Sequence, residues 1–196
     1  TALLDKLLSE EKTAEAKNTL YSHLEYLKDN NQIDSLADYV YYVGKIELSQ
    51  SNKKKAEQKA KAFVESFKIL SQNPAALRRI YMSMSSFYDL IGMPDKGYKS
   101  NEEALKYSLA MPIPKGSDIG TIQSNLGTSA MRLGNIKLAI EHFRQTLKYY
   151  NSDPDTNPTD YYFGYSSMGA VMYYSSKIDS SIYYYEKAVA QVKTLD

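Results

Sequence analysis

"NLGTSAMRLGNIKLAIEHFRQTLKYY", residues 125–150, sets two glycines seven residues apart inside a run that otherwise reads as helix. Apolar and small residues fall at Leu126, Ala130 and Leu133, then at Ile136, Ala139, Ile140, Phe143 and Leu147, each set spaced by three or four as one helical face requires. Two amphipathic helices are expected, with the break at Leu133-Gly134-Asn135. Gly134 can take the left-handed conformation that ends a helix, and Asn135 can cap the next one. Gly127 lies within the first helix, where glycine costs roughly 1 kcal/mol relative to alanine. Close approach of a neighbouring helix backbone is the expected compensation.

The same signpost recurs. An apolar residue followed by a small one stands at Val43-Gly44, Met84-Ser85, Leu126-Gly127 and Met168-Gly169, with spacings of 41, 42 and 42. Thirteen residues after each apolar member comes another small residue: Ala56, Gly97, Ala139 and Ser181. Helix pairs are expected at 1–8 with 10–29, 34–50 with 53–72, 75–92 with 95–110, 118–133 with 136–150, and 160–175 with 179–194. Breakers agree: "DNNQ" near 30, "SQNP" before Ala75, "GMPD" near 93, "MPIPKGSD" at 111–118 and "NSDPDTNPTD" at 151–160. No segment asks for a strand. Leu3, Leu4, Leu7 and Leu8 read as the second half of a helix whose beginning is missing, so the chain is expected to start inside a repeat and to be a piece of a larger protein.

Small-apolar signposts in helix pairs, with an aromatic four residues after the small residue of the second helix (Phe143, Tyr185), resemble the tetratricopeptide repeat (TPR) family. Leu126, Gly127, Ala130, Ala139 and Phe143 stand where the family pattern wants them, whereas the second pair departs, with Ala60 in the aromatic position. The period exceeds the usual 34, as in the longer repeats of bacterial signalling and regulatory TPR proteins. The resemblance implies an all-α fold, a right-handed α-α superhelix built as a TPR-like solenoid of four to five helix pairs. It implies one domain over 1–196, with a partial repeat at 1–30 and repeats at 34–72, 75–110, 118–150 and 160–195.

In such a stack the first helix of each pair lines a concave groove. Carried over residue by residue, the groove receives Asp38, Tyr41, Tyr42 and Lys45, then Arg79, Met82, Ser83, Ser86 and Asp89. Beyond these come Thr121, Ser124, Asn125, Thr128 and Arg132, and last Phe163, Ser166, Ser167, Ala170 and Tyr173. This polar lining with tyrosines and isolated charges suits an extended peptide or partner segment, because tyrosine gives contact area at small rotamer cost. Asn125 and the arginines suit a peptide backbone or terminal carboxylate, although the family's carboxylate clamp is only partly matched. Most of the 19 tyrosines, at helical spacing, are expected to pack between helices.

Composition narrows the chemistry further. A formal net charge of +1 argues against a nucleic-acid footprint. With no cysteine there is no disulfide framework, thiolate zinc site or cysteine nucleophile. No apolar run reaches the roughly 20 residues of a membrane span, so no direct membrane insertion is expected. His23 and His142, on second helices, are expected to be solvated or interfacial rather than metal ligands. "DPDTNPTDYYFG" from Asp153 opens like a calcium loop, then fails at Pro158 and Gly164 and reads as a connector with Asp160 capping the helix. "NKKKAEQKAKAF" at 52–63 reads as one solvated basic face rather than a phosphate patch.

No cofactor, metal site or catalytic residue is expected, and the chain reads as a non-enzymatic interaction module. Its expected setting is the sensing or partner-binding region of a bacterial regulatory protein, a sensor kinase or transcription regulator, with a lean to its extracytoplasmic or regulatory part. A structural assembly scaffold and a peptide-responsive regulator of a partner enzyme are the alternatives. Self-association through the C-terminal helix, at Tyr183, Tyr184 and Val189, is a further expectation.

Overall fold

The structure, a computed structural model, describes residues 1–193. Ten α-helices are found among the described residues, and no strand. They are α1 (Ala2–Ser9), α2 (Thr13–Asp29), α3 (Val40–Gln50), α4 (Lys53–Leu70), α5 (Pro74–Leu90), α6 (Pro94–Leu109), α7 (Gly116–Arg132), α8 (Ile136–Ser152), α9 (Pro158–Tyr174) and α10 (Ile178–Val192). The positions 194 and 195, where the last helix and last repeat were expected to end, lie outside the described residues. Packing divides the chain into two compact units, Thr1–Met93 and the residues from Pro94 onward.

Local chemistry places most boundaries. Asn52, Asn73, Asn135 and Asn157 each accept a backbone N–H of the helix they start, from Lys55, Ala75, Leu138 and Asp160 at 2.9–3.2 Å. This satisfies donors that a helix start otherwise leaves open. Asn157, not the expected Asp160, is the cap of α9; Asp160 accepts the Asn157 N–H in return, which closes a capping box. Helix ends share a second device. The N–H groups of Lys12, Gln32, Met93, Asn135 and Lys177 each reach back five residues, to Leu7, Leu27, Tyr88, Ala130 and Met172. The preceding residue is left-handed in every case: Glu11, Asn31, Gly92, Gly134 and Ser176.

The expected helix 34–50 is not continuous. Residues Ile33–Tyr39 form a 3₁₀ helix, and α3 begins only at Val40. The reason lies outside the segment. The Asp34 carboxylate accepts from the Ser71 hydroxyl and the Asn73 amide, both at 2.5 Å, while its carbonyl accepts from Arg79 at 2.6 Å. With backbone and side chain both held by α5 and the loop before it, the segment cannot settle into α-helical register. The Tyr41 N–H at the start of α3 then accepts its closure from elsewhere, donating to the Ser83 hydroxyl of α5 at 3.1 Å.

Gly127 answers the question the sequence raises, though not as expected. What comes close is a ring, not a backbone. A Cβ on Gly127 would lie 2.6 Å from the ring of Phe143, which α8 drives into the gap and which is fully buried. Gly169 of α9 seats Tyr185 of α10 in the same way, at 2.9 Å. Gly44 of α3 also seats a ring, but that ring is Phe87 of α5.

Candidate functional site

In the first unit, the 3₁₀ segment and α3 pack beside α5, so the expected groove residues of two first helices meet on one face. Arg79 bridges them. Its Nε donates to Asp38 at 2.9 Å and its NH2 group to the Asp34 carbonyl. A half-exposed pair of this kind is screened by solvent and contributes about 0–1 kcal/mol, and it leaves the guanidinium already engaged. Lys45 lies 5.4 Å above the Tyr41 ring, a cation–π contact that covers one tyrosine face. Met82 is half-buried, and its carbonyl accepts from the exposed Ser86 hydroxyl at 3.2 Å. Asp89 is half-buried at the end of the same helix.

Tyr42 does not belong to that face. It is buried among hydrophobic residues, and its hydroxyl donates to Asp5 at 2.8 Å. Burial, reinforced by the Asp5 carboxylate, pushes its pKa up to about 12. It ties α1 to α3, and the signal for this role, an acid 37 residues earlier, is invisible to local pattern.

In the second unit the expected groove residues are carried by α7 and α9. Thr121 and Thr128 donate their hydroxyls within α7, to the Ser117 and Ser124 carbonyls at 2.9 and 3.0 Å, and the Thr121 hydroxyl also meets that of Tyr150 on α8 at 3.2 Å. Ser124 and Asn125 are half-exposed, and among the described residues neither the Ser124 hydroxyl nor the Asn125 amide is hydrogen-bonded. Arg132 is exposed at the end of α7. On α9, Ser166, Ser167 and Ala170 are half-buried, whereas Phe163 and Tyr173 are 58% and 61% exposed. The two aromatics flank a strip of small residues, so this surface offers hydrogen-bonding groups next to uncovered apolar platforms.

Three other sequence features resolve into packing. His142 is the interfacial one: Nε2 meets the Tyr98 hydroxyl at 2.9 Å and Nδ1 the Gln123 side-chain amide oxygen at 2.7 Å, linking α6, α7 and α8. Burial lowers its pKa, with Glu141 opposing. His23 is exposed and lies against Tyr26 and Tyr39. Asp153 holds the Ser117 N–H at the start of α7 at 2.6 Å and the Asp155 N–H at 3.0 Å; these backbone donors, the Ser117 N–H first, keep its carboxyl below the usual range. Of the basic run, Lys53 donates to the Ile91 carbonyl beyond α5, Lys59 lies over Tyr21 and Lys61 pairs with Glu57. No described helix is long and apolar enough to cross a membrane.

No family model and no curated protein matches the sequence. Among solved structures, the chain is similar to BtubC (BKLC) from P. vanneervenii, with a TM-score of 0.72 at 21% identity, over 100% of this chain and 76% of that one. It is also similar to MamA, with a TM-score of 0.57 at 16% identity, over 97% of this chain and 95% of that one. At such identities the likeness establishes the fold: an all-α helical repeat of TPR-like type.

Proposed function

We propose that this chain is a non-catalytic protein-binding module that takes an extended peptide or partner segment along the faces of its first helices. The observation that supports this most is that α7 carries an unengaged Asn125 amide and Ser124 hydroxyl while α9, packed beside it, carries exposed Phe163 and Tyr173. Amide groups can serve a peptide backbone, and rigid aromatics supply contact area at low entropic cost. The setting we propose is the partner-binding or sensing region of a bacterial regulatory protein, a reading supported by the long spacing of the small-residue signposts.

Panning a random peptide library against the whole chain tests the module. Enriched peptides are expected to lose at least tenfold in affinity to Asn125→Ala combined with Phe163→Ala, while circular dichroism stays unchanged. Absence of enrichment, or peptides indifferent to both changes, overturns the reading. A natural reading frame that joins these residues to no kinase, DNA-binding or other output segment would remove the regulatory setting and leave the binding module.

A further inference from the structure

The outward face of α10 carries an apolar stripe at Ile178, Ile182, Tyr185, Val189 and Val192, alternating steps of four and three, and each residue is between 42% and 53% exposed. Large apolar side chains gathered in one stripe, rather than scattered singly, mark an interaction surface. The same molecule shows what covers such a stripe. Forty-two residues earlier, α8 carries Ile136, Ile140, Phe143, Leu147 and Tyr150 at the same five register positions. There Phe143 and Tyr150 are fully buried and the other three half-buried.

The stripe on α8 is seated from one side by α7, where Gly127 and Gly120 take the rings of Phe143 and Tyr150, and is covered on the other by α9. Met168, Val171 and Met172 form one core cluster with Phe143, against which Ile136, Ile140 and Leu147 pack. At Gly164 the missing side chain admits Leu147 and Tyr150, whose atoms would stand 3.1 and 3.2 Å from a Cβ. The covering face is therefore glycine, methionine, valine and methionine at i, i+4, i+7 and i+8. Tyr185 sits on Gly169 as Phe143 sits on Gly127, so the inner side of its ring is seated the same way and only the outer side is bare. Between Ile182, Tyr185, Val189 and the rim residues Glu186 and Lys193 lies a cavity of about 460 Å³.

We propose that the α10 face is a second docking surface, separate from the first-helix faces, and that it takes one amphipathic helix of a partner protein bearing a small residue and methionines at that spacing, laid on α10 as α9 lies on α8. Methionine suits the task because an unbranched, polarizable side chain conforms to the gaps between isoleucine and tyrosine. Recognition of this kind is helix-in-groove docking read through i, i+4 and i+7 anchors.

The probe is a labelled synthetic peptide of residues 157–175, the chain's own covering helix, titrated into the full chain and followed by fluorescence anisotropy. Saturable binding is expected, weakened at least tenfold by Ile182→Glu with Val189→Glu, two exposed positions where a charge leaves the fold intact by circular dichroism. Asn125→Ala with Phe163→Ala is expected to leave this binding unchanged, which separates it from the peptide reading above. Absence of saturable binding, or binding indifferent to the glutamates, overturns the proposal. So does a stable dimer in light scattering that the same glutamates dissociate, which would assign the face to a second copy. Loss of peptide binding in a longer natural form of the chain would assign it to the chain's own continuation, with the same result.

Discussion

The hairpins α3–α4 and α7–α8 begin from the same device, a glycine inside the first helix that seats an aromatic ring, and satisfy it by different means. In α7–α8 the ring is Phe143 of the partner helix, the turn closes on left-handed Gly134, and Asn135 caps α8. In α3–α4 the partner helix offers Ala60, the ring is Phe87 of α5, and the residue after α3, Ser51, has a φ of −146°. The α7–α8 hairpin could nearly be specified by its own 40 or so residues; the α3–α4 hairpin needs α5 for its ring, its helix start and its Asp34 contacts. A vacancy beside glycine must be filled for the helices to pack at crystal-like density, but the filling residue need not come from the same pair.

The largest test of that contrast is removal of the rings. Phe143→Ala and Phe87→Ala are each expected to cost about 3–5 kcal/mol in urea unfolding. Hydrogen exchange should separate them, with Phe143→Ala loosening α7 and α8 together and Phe87→Ala loosening α3 and α5. Equal loosening of α4 and α5 in the second variant would break the comparison. Next come the glycines. Gly127→Ala and Gly44→Ala are expected to cost about 1–3 kcal/mol through overpacking, offset in part by helix propensity. Trimming the ring sharpens the assignment: Phe143→Leu should recover stability only beside Gly127→Ala, and Phe87→Leu only beside Gly44→Ala.

Smaller effects follow. Ser83→Ala is expected to cost about 1 kcal/mol and to speed exchange of the Tyr41 amide, with no counterpart in α8, where Asn135 serves. Acidification should act on the second unit through His142. Its pKa is lowered from 6.5 by burial, so the unfolded chain binds the proton more readily and stability falls as pH drops through the unfolded value. Denaturation at about pH 7.5 and about pH 5.5 should show a loss attenuated by His142→Gln. The smallest change is Asp38→Asn, expected at under about 1 kcal/mol because its partner Arg79 is held by the Asp34 carbonyl as well and both side chains are partly exposed.

What the residues disclosed in advance follows the reach of each interaction. Gly134 and Asn135 were legible because a left-handed turn and an asparagine cap act within a few residues, and the helix spans because their apolar faces repeat locally. The break at Tyr39–Val40 was hidden, since Asp34 is held by Ser71 and Asn73, 37 and 39 residues away. Tyr42 was placed among groove residues because its position in α3 is right for one, while the acid that turns it inward lies in α1. His142 showed only Glu141 beside it, and its partners Tyr98 and Gln123 stand 44 and 19 residues back. Ser124, Asn125, Phe163 and Tyr173 lie where helical period alone puts them.

The hydroxyl that Ser83 lends to the Tyr41 amide bears on the order of assembly. Nucleating a helix fixes several torsions before the first bond is gained, and α8 finds its cap three residues from the donor it serves, so its first turn can form in an otherwise open chain. The amino end of α3 has no such neighbour and must wait until a segment 42 residues downstream has been made and brought back. During synthesis, α3 is therefore expected to remain half-formed until α5 has left the ribosome.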